Sequence, residues 1–84
     1  MSILILSMSL LIFLYNFFMF GSRLKELRLE KQLTQKELAK ILLCDQSMIT
    51  RWEHEECEPT ESVIRRTALY FSVSADFLIG LKDY

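Results

Sequence analysis

The sequence predicts an all-α protein: a five-helix domain over residues 21–84, preceded by a separate apolar helix within residues 1–20. Three observations predict it. The first 20 residues carry no charged side chain, and all ten Lys/Arg and all eleven Asp/Glu follow from Arg23 onward. Beyond Gly21 the apolar residues recur three and four apart, the period of one helix face, and no alternating stretch of strand type occurs. Helix-starting residues, Thr34, Asp45, Thr60 and Ser74, divide that pattern into short segments. At 84 residues the chain has room for one small domain with a modest core.

After Ser2, the apolar segment, MSILILSMSLLIFLYNFFMF, is broken only by Ser7, Ser9 and Asn16. About 20 residues of helix just span a bilayer core. It lacks the basic start and small-residue cleavage site of a secretory signal. As a membrane anchor it would be followed directly by Arg23, Lys25 and Arg28, placing the charged domain on the cytoplasmic side. A second reading has equal standing: Met19 opens a natural domain start, MFGSRLKELR. The residues before it would then be untranslated leader, read in frame from a start placed too early, of the kind that AT-rich DNA encodes.

In residues 23–31, Leu24 and Leu27 continue a stripe begun by Phe20, and charges fill the other face. Thr34-Gln35-Lys36-Glu37 has the form of a capping box, in which the Thr34 hydroxyl accepts from the Glu37 amide and the Glu37 side chain reaches back. Leu38, Ala39 and Leu42 supply the apolar face of the helix that follows. Leu43-Cys44 makes a turn, and Cys44 suits a small core position. Asp45 caps a third helix with Ile49 and Trp52 on its buried side. A polar loop, Glu53 to Glu58, ends at Pro59. Thr60 then caps a fourth helix with Ile64, Ala68 and Phe71 facing inward. Ser74 caps a short fifth helix with Asp76 in its first turn, where a negative charge suits the helix dipole, and Gly80 stops it.

The second and third helices are separated by only three or four residues, which is helix-turn-helix spacing. At this point the chain resembles a known family. LTQKELAKILLCDQSMITRWE is similar to the helix-turn-helix of the Cro and CI repressors, the lambda-repressor-like or XRE family. EPTESVIRRTALYFSVSADFLIG resembles the last two helices of the same family. T-Q-x-E-L-A, I-x-R-W-E, E-P-T and F-x-V-S-x-D-x-L-x-G all stand at the right spacing. Two departures stand out: Leu43 occupies the turn where the family usually has Gly, and Thr67 falls where a large aliphatic residue is usual.

The resemblance implies a regulator of transcription, expected to be a repressor, that binds double-stranded DNA as a homodimer on a palindromic operator. Base contacts fall on the third helix at Gln46, Ser47, Thr50 and Arg51, left exposed by the inward-facing Ile49 and Trp52. Arg can bind guanine O6 and N7 bidentately, and Gln adenine N6 and N7. Phosphate contacts are expected from Thr34 and Gln35 at the second helix's N-terminus, helped by Lys31 and Lys36. Arg28 and Glu53 match a family ion pair that orients the third helix. Tyr70, Phe77, Ile79, Leu81 and Tyr84 could supply a dimer surface or close the core.

Charge distribution agrees with one face turned to phosphate. Residues 23–51 hold seven basic and four acidic residues, and residues 52–84 three basic and seven acidic. No nucleophile–base pair, metal cluster or glycine-rich phosphate loop is present, so no enzyme, catalytic residue, metal, cofactor or small-molecule ligand is expected. His54 and Cys57 alone do not make a zinc site, and both cysteines are expected as free thiols in a reducing cytoplasm. Two alternatives remain: a regulator tethered to the inner membrane face through residues 1–20, and an antitoxin-like adaptor that binds protein first and DNA second.

Overall fold

The computed structural model describes residues 19–83. In chain order it has α1 (through residues 19–30), α2 (Gln35–Leu42), α3 (Gln46–Glu53), α4 (Glu61–Phe71) and α5 (Ala75–Leu78), with no strand among the described residues. The separate apolar helix expected upstream lies outside the described residues. Among those described, no helix is long and apolar enough to cross a membrane.

Helix α1 reaches further back than the spacing from Arg23 suggested. It is already helical at Met19, so the compositional boundary at residue 20 cuts through a continuous helix. Phe20 lies in the core beside Leu24, its ring edge-on to Trp52 at 6.2 Å between centroids. Gly21 explains how α1 and α3 come so close. A methyl group placed there would meet the Trp52 carbonyl oxygen at 2.1 Å. The two backbones therefore touch where a side chain would otherwise separate them.

The core gathers one face from every helix: Phe20 and Leu24 from α1, Leu38, Ala39 and Leu42 from α2, Ile49 and Trp52 from α3, Val63 and Phe71 from α4, and Leu78 from α5. Each large aliphatic contributes about 1.5–3 kcal/mol by leaving water. The inward stripe of α4 holds at Phe71 but lies one residue earlier at its other two positions: Val63 and Thr67 are buried, while Ile64 and Ala68 only flank the core. The reason is Thr67, which is completely buried. Its hydroxyl donates to the Val63 carbonyl at 2.7 Å, so the position tolerates a polar atom in the core. An apolar pattern alone passes over such a residue. The Trp52 indole N–H, also buried, has no partner among the described residues.

Three N-caps accept a backbone amide as expected: Thr34 from Glu37, Thr60 from Val63 and Ser74 from Phe77. Asp45 takes the N-cap position of α3 but makes no side-chain capping bond. The helix ends are less ordinary. Gln32, Leu43, Glu55 and Ser72 all adopt the left-handed conformation, at φ between 55° and 60°, and none is glycine. At Leu43 this confirms the conformation that the family's usual Gly implies, with φ 58° and ψ 49°. The Leu43 side chain is 74% exposed, so it returns no packing for the strain.

Leu43→Gly should therefore stabilise the domain. Relief of the left-handed strain is worth about 1–2 kcal/mol, and the added freedom of the unfolded chain takes back about 0.4–1 kcal/mol. The net gain of roughly 0.5–1 kcal/mol raises the melting temperature by several degrees. Thermal melts followed by circular dichroism check this, and an unchanged or lower midpoint contradicts it.

The Arg23 guanidinium closes the domain at its other end. It donates to the Phe77 and Lys82 carbonyls at 2.7 and 2.6 Å, and it lies 4.1 Å from the Phe77 ring centre. With Arg28 in a buried ion pair, two of the three basic residues that follow the apolar run have structural duties. Only Lys25 of the three is exposed. Arg23 and Arg28 are thus explained within the domain, without a topology signal.

Candidate nucleic-acid interface

The second and third helices build the candidate interface. At the start of α2 both halves of the capping box form: the Glu37 amide donates to the Thr34 hydroxyl oxygen at 3.0 Å, and the Thr34 amide donates to Glu37 Oε1 at 2.8 Å. The Thr34 amide, then the Thr34 hydroxyl, hold the exposed Glu37 carboxyl below its ordinary value of 4.5, with Lys40 adding to them. A carboxylate lowered by folding stabilises above the unfolded value and loses that contribution as pH falls through the lower, folded one. Thr34→Ala removes the hydroxyl's share. The stability gap between wild type and this variant should narrow as pH falls below 4.5, and a gap independent of pH in denaturant titrations would contradict this.

On α3, Ile49 and Trp52 point into the core, as expected. Gln46, Ser47 and Arg51 are exposed, and Thr50 is half-buried at the edge facing α2. Arg51 Nε lies 4.0 Å from a Glu56 carboxylate oxygen, with both side chains more than half exposed. An ion pair this open to water contributes little, so Arg51 can exchange Glu56 for another acceptor at small cost. Just beyond the C-terminal end of α2 the Cys44 thiol is half-buried. Burial, then the neighbouring Asp45 charge, raises its pKa.

The expected phosphate-contacting residues divide into two groups. Lys36 is exposed and makes no ion pair among the described residues, and Thr34 is exposed beside it. Lys31 is exposed but its ammonium rests 5.3 Å from the Tyr70 ring centre. Gln35 is turned inward: its amide nitrogen donates to Glu53 Oε1 at 3.0 Å, and its oxygen accepts from the Thr50 hydroxyl at 2.9 Å.

Arg28 and Glu53 form the expected pair. Arg28 Nε and Nη2 donate to the two Glu53 carboxylate oxygens at 2.7 and 3.0 Å, and Nη1 donates to the Leu33 carbonyl at 2.9 Å. Both residues are 9% exposed. Through Gln35 and Thr50 the pair joins α1, α2 and the middle of α3. The sequence reading missed this extension, as well as Gly21 and the Arg23 clamp. A glycine inside a helical pattern was the available signal for Gly21, since such residues often mark a close approach.

Of the proposed dimer-surface residues, Tyr70 is 38% and Leu81 60% exposed, while Phe77 and Ile79 are half-buried. Tyr84 lies outside the described residues. Leu69, not singled out from the sequence, is 76% exposed.

Comparison with known proteins finds sequence relatives of this chain. Residues 21–83 match a family model described as a helix-turn-helix domain. A similar protein is the HTH-type transcriptional activator BcrR of Enterococcus faecalis, 33% identical over 64 residues. The match takes in 76% of this chain but spans only 31% of that relative's length. No solved structure matches. On the family match and the motifs quoted above, the chain belongs to the helix-turn-helix family, of the lambda-repressor-like, XRE type.

Proposed function

We propose that the chain is a sequence-specific DNA-binding regulator of transcription, which docks α3 in the major groove and reads bases with Gln46, Ser47, Thr50 and Arg51. One observation carries this reading: α3 follows α2 at helix-turn-helix spacing, buries Ile49 and Trp52, and leaves Gln46, Ser47 and Arg51 exposed on its other side. The α2 N-terminus, with Thr34 and Lys36, then takes a phosphate and fixes register. Two copies on a palindrome would sit with half-sites one helical turn apart, about 34 Å. Such a protein acts in the cytoplasm, where the DNA is. Repression is the simplest output, since a bound dimer over a promoter excludes polymerase with no further contact. The similar Enterococcus protein is named as an activator, so a reporter assay has to score both signs.

Selection from a randomised duplex pool, then titration at two salt concentrations, tests the reading. A short palindrome should be enriched, with a dissociation constant on the order of 10⁻⁸ M or tighter at physiological salt and weaker binding as salt rises. Arg51→Ala should cost about 1–3 kcal/mol, roughly 5- to 150-fold, at one base position of each half-site. An unenriched pool, or Arg51→Ala binding as wild type does, contradicts it.

A further inference from the structure

We propose that Thr50 reads its base pair only as a hydrogen-bond acceptor with a methyl group beside it, because Gln35 and Glu53 fix the direction in which its hydroxyl donates. The inference rests on the reading above, in which α3 lies in the major groove. It follows from donor and acceptor arithmetic along one chain of contacts. The Glu53 carboxylate has no proton to give and is held bidentately by Arg28 at 2.7 and 3.0 Å. The Gln35 group 3.0 Å from Glu53 must therefore be its NH₂. That leaves the Gln35 carbonyl oxygen facing Thr50 at 2.9 Å. An amide oxygen only accepts, so the Thr50 hydroxyl donates inward. The other group within reach of that hydroxyl is the Gln46 backbone carbonyl at 3.3 Å, which also only accepts. At 2.9 Å the Gln35 oxygen is the nearer acceptor and holds the proton, the 3.3 Å contact to the Gln46 carbonyl being the weaker one.

What Thr50 can show a base is then an oxygen lone pair and its methyl group. A lone pair is complementary to an exocyclic amine, adenine N6 or cytosine N4, and repels the O6 and N7 acceptors of guanine. The methyl meets the thymine C5-methyl. An A·T pair offers the amine and the methyl together, so it is the pair best suited to this residue. An ordinary threonine, free to rotate its hydroxyl, serves donors and acceptors alike. Here the choice is inherited from Arg28, a residue of another helix, through two intermediates. Gln35 is thus a positioning residue for Thr50.

Base preference, read position by position, tests this. Selected-site profiles from a randomised duplex pool are compared for wild type, Thr50→Val, Gln35→Met and Arg51→Ala, each with its thermal melt. Thr50→Val should lose the preference at one half-site position. Gln35→Met, whose thioether is only a weak acceptor, should relax that same position and raise the frequency of guanine there several-fold, leaving the position assigned by Arg51→Ala unchanged. A measurement on the wild-type protein does not depend on whether Gln35→Met folds: replacing the base at the Thr50 position by its analogue without the exocyclic amine should weaken binding roughly fivefold. The proposal is overturned if wild type prefers guanine at that position, if the amine-less analogue binds equally well, or if folded Gln35→Met shifts all positions alike. Flat profiles for every protein, wild type included, would instead sink the reading of α3 as a base reader.

Discussion

Gly21→Ala should unfold the domain at a temperature well below wild type, by about 10–20 °C. The usual expectation runs the other way, since alanine in a helix interior is worth about 1 kcal/mol more than glycine. At Gly21 that gain is overridden. The added methyl would stand 2.1 Å from the Trp52 carbonyl oxygen and 3.0 Å from the Glu55 side chain. The oxygen belongs to the backbone, so no rotamer change relieves it. Either α1 lifts off α3 or the end of α3 shifts, and both movements loosen Phe20 against Trp52. Overpacking of this kind costs about 1–3 kcal/mol and sometimes more. Each kcal/mol shifts the midpoint by some 4–8 °C in a domain this small. The Trp52 carbonyl also accepts the Glu55 amide at 2.9 Å, so the end of α3 loses a second restraint if it moves. Calorimetry on the two proteins decides it: a midpoint at or above wild type would show that α1 can retreat without penalty.

The second large effect is expected at Arg28. Arg28→Ala leaves a buried Glu53 carboxylate with Gln35 as its remaining side-chain donor, and it frees the Leu33 carbonyl. Breaking one side of a buried pair costs about 3–5 kcal/mol. A domain of this size has roughly 3–10 kcal/mol in total, so the variant should be largely unfolded at 37 °C or close to it. Removing both charges is a different experiment. Arg28→Met combined with Glu53→Leu leaves no orphaned charge and should recover most of the stability. Recovery of stability should not bring recovery of DNA binding, because Gln35 and Thr50 lose their anchor. A double-mutant cycle in urea, with the same variants titrated against the selected site, separates the two. If Arg28→Ala loses less than about 1 kcal/mol, the pair is not the link between α1 and α3 that its geometry describes.

Much of this was legible in the sequence because the signals were local. A capping box needs only Thr34 and Glu37 at their spacing, and both reciprocal bonds form. Ile49 and Trp52 are three apart on one helix face, and both are buried. The left-handed turn at Leu43 could be read from the residue type the family usually places there. What escaped was mostly decided between helices. Thr67 is the exception: it takes a core position because its hydroxyl finds the Val63 carbonyl one turn back in α4, and a polarity scale takes no account of that bond. Gln35 looked outward because it opens a helix, but Glu53 and Thr50, 18 and 15 residues further on, turn it inward. Arg23 looked like a charge flanking an apolar run, and its partners lie 54 and 59 residues away. Pairings at such separations leave no trace in a local period.

The Arg23 clamp also settles how force meets this module. The guanidinium one turn into α1 grips the carbonyl of Lys82, so the first and last described stretches of the chain emerge side by side. Tension applied between the two ends would load that single side chain before it reached α2 or α3. A substitution that removes the clamp would therefore loosen the first and last described turns together, while leaving every contact between α2 and α3 in place.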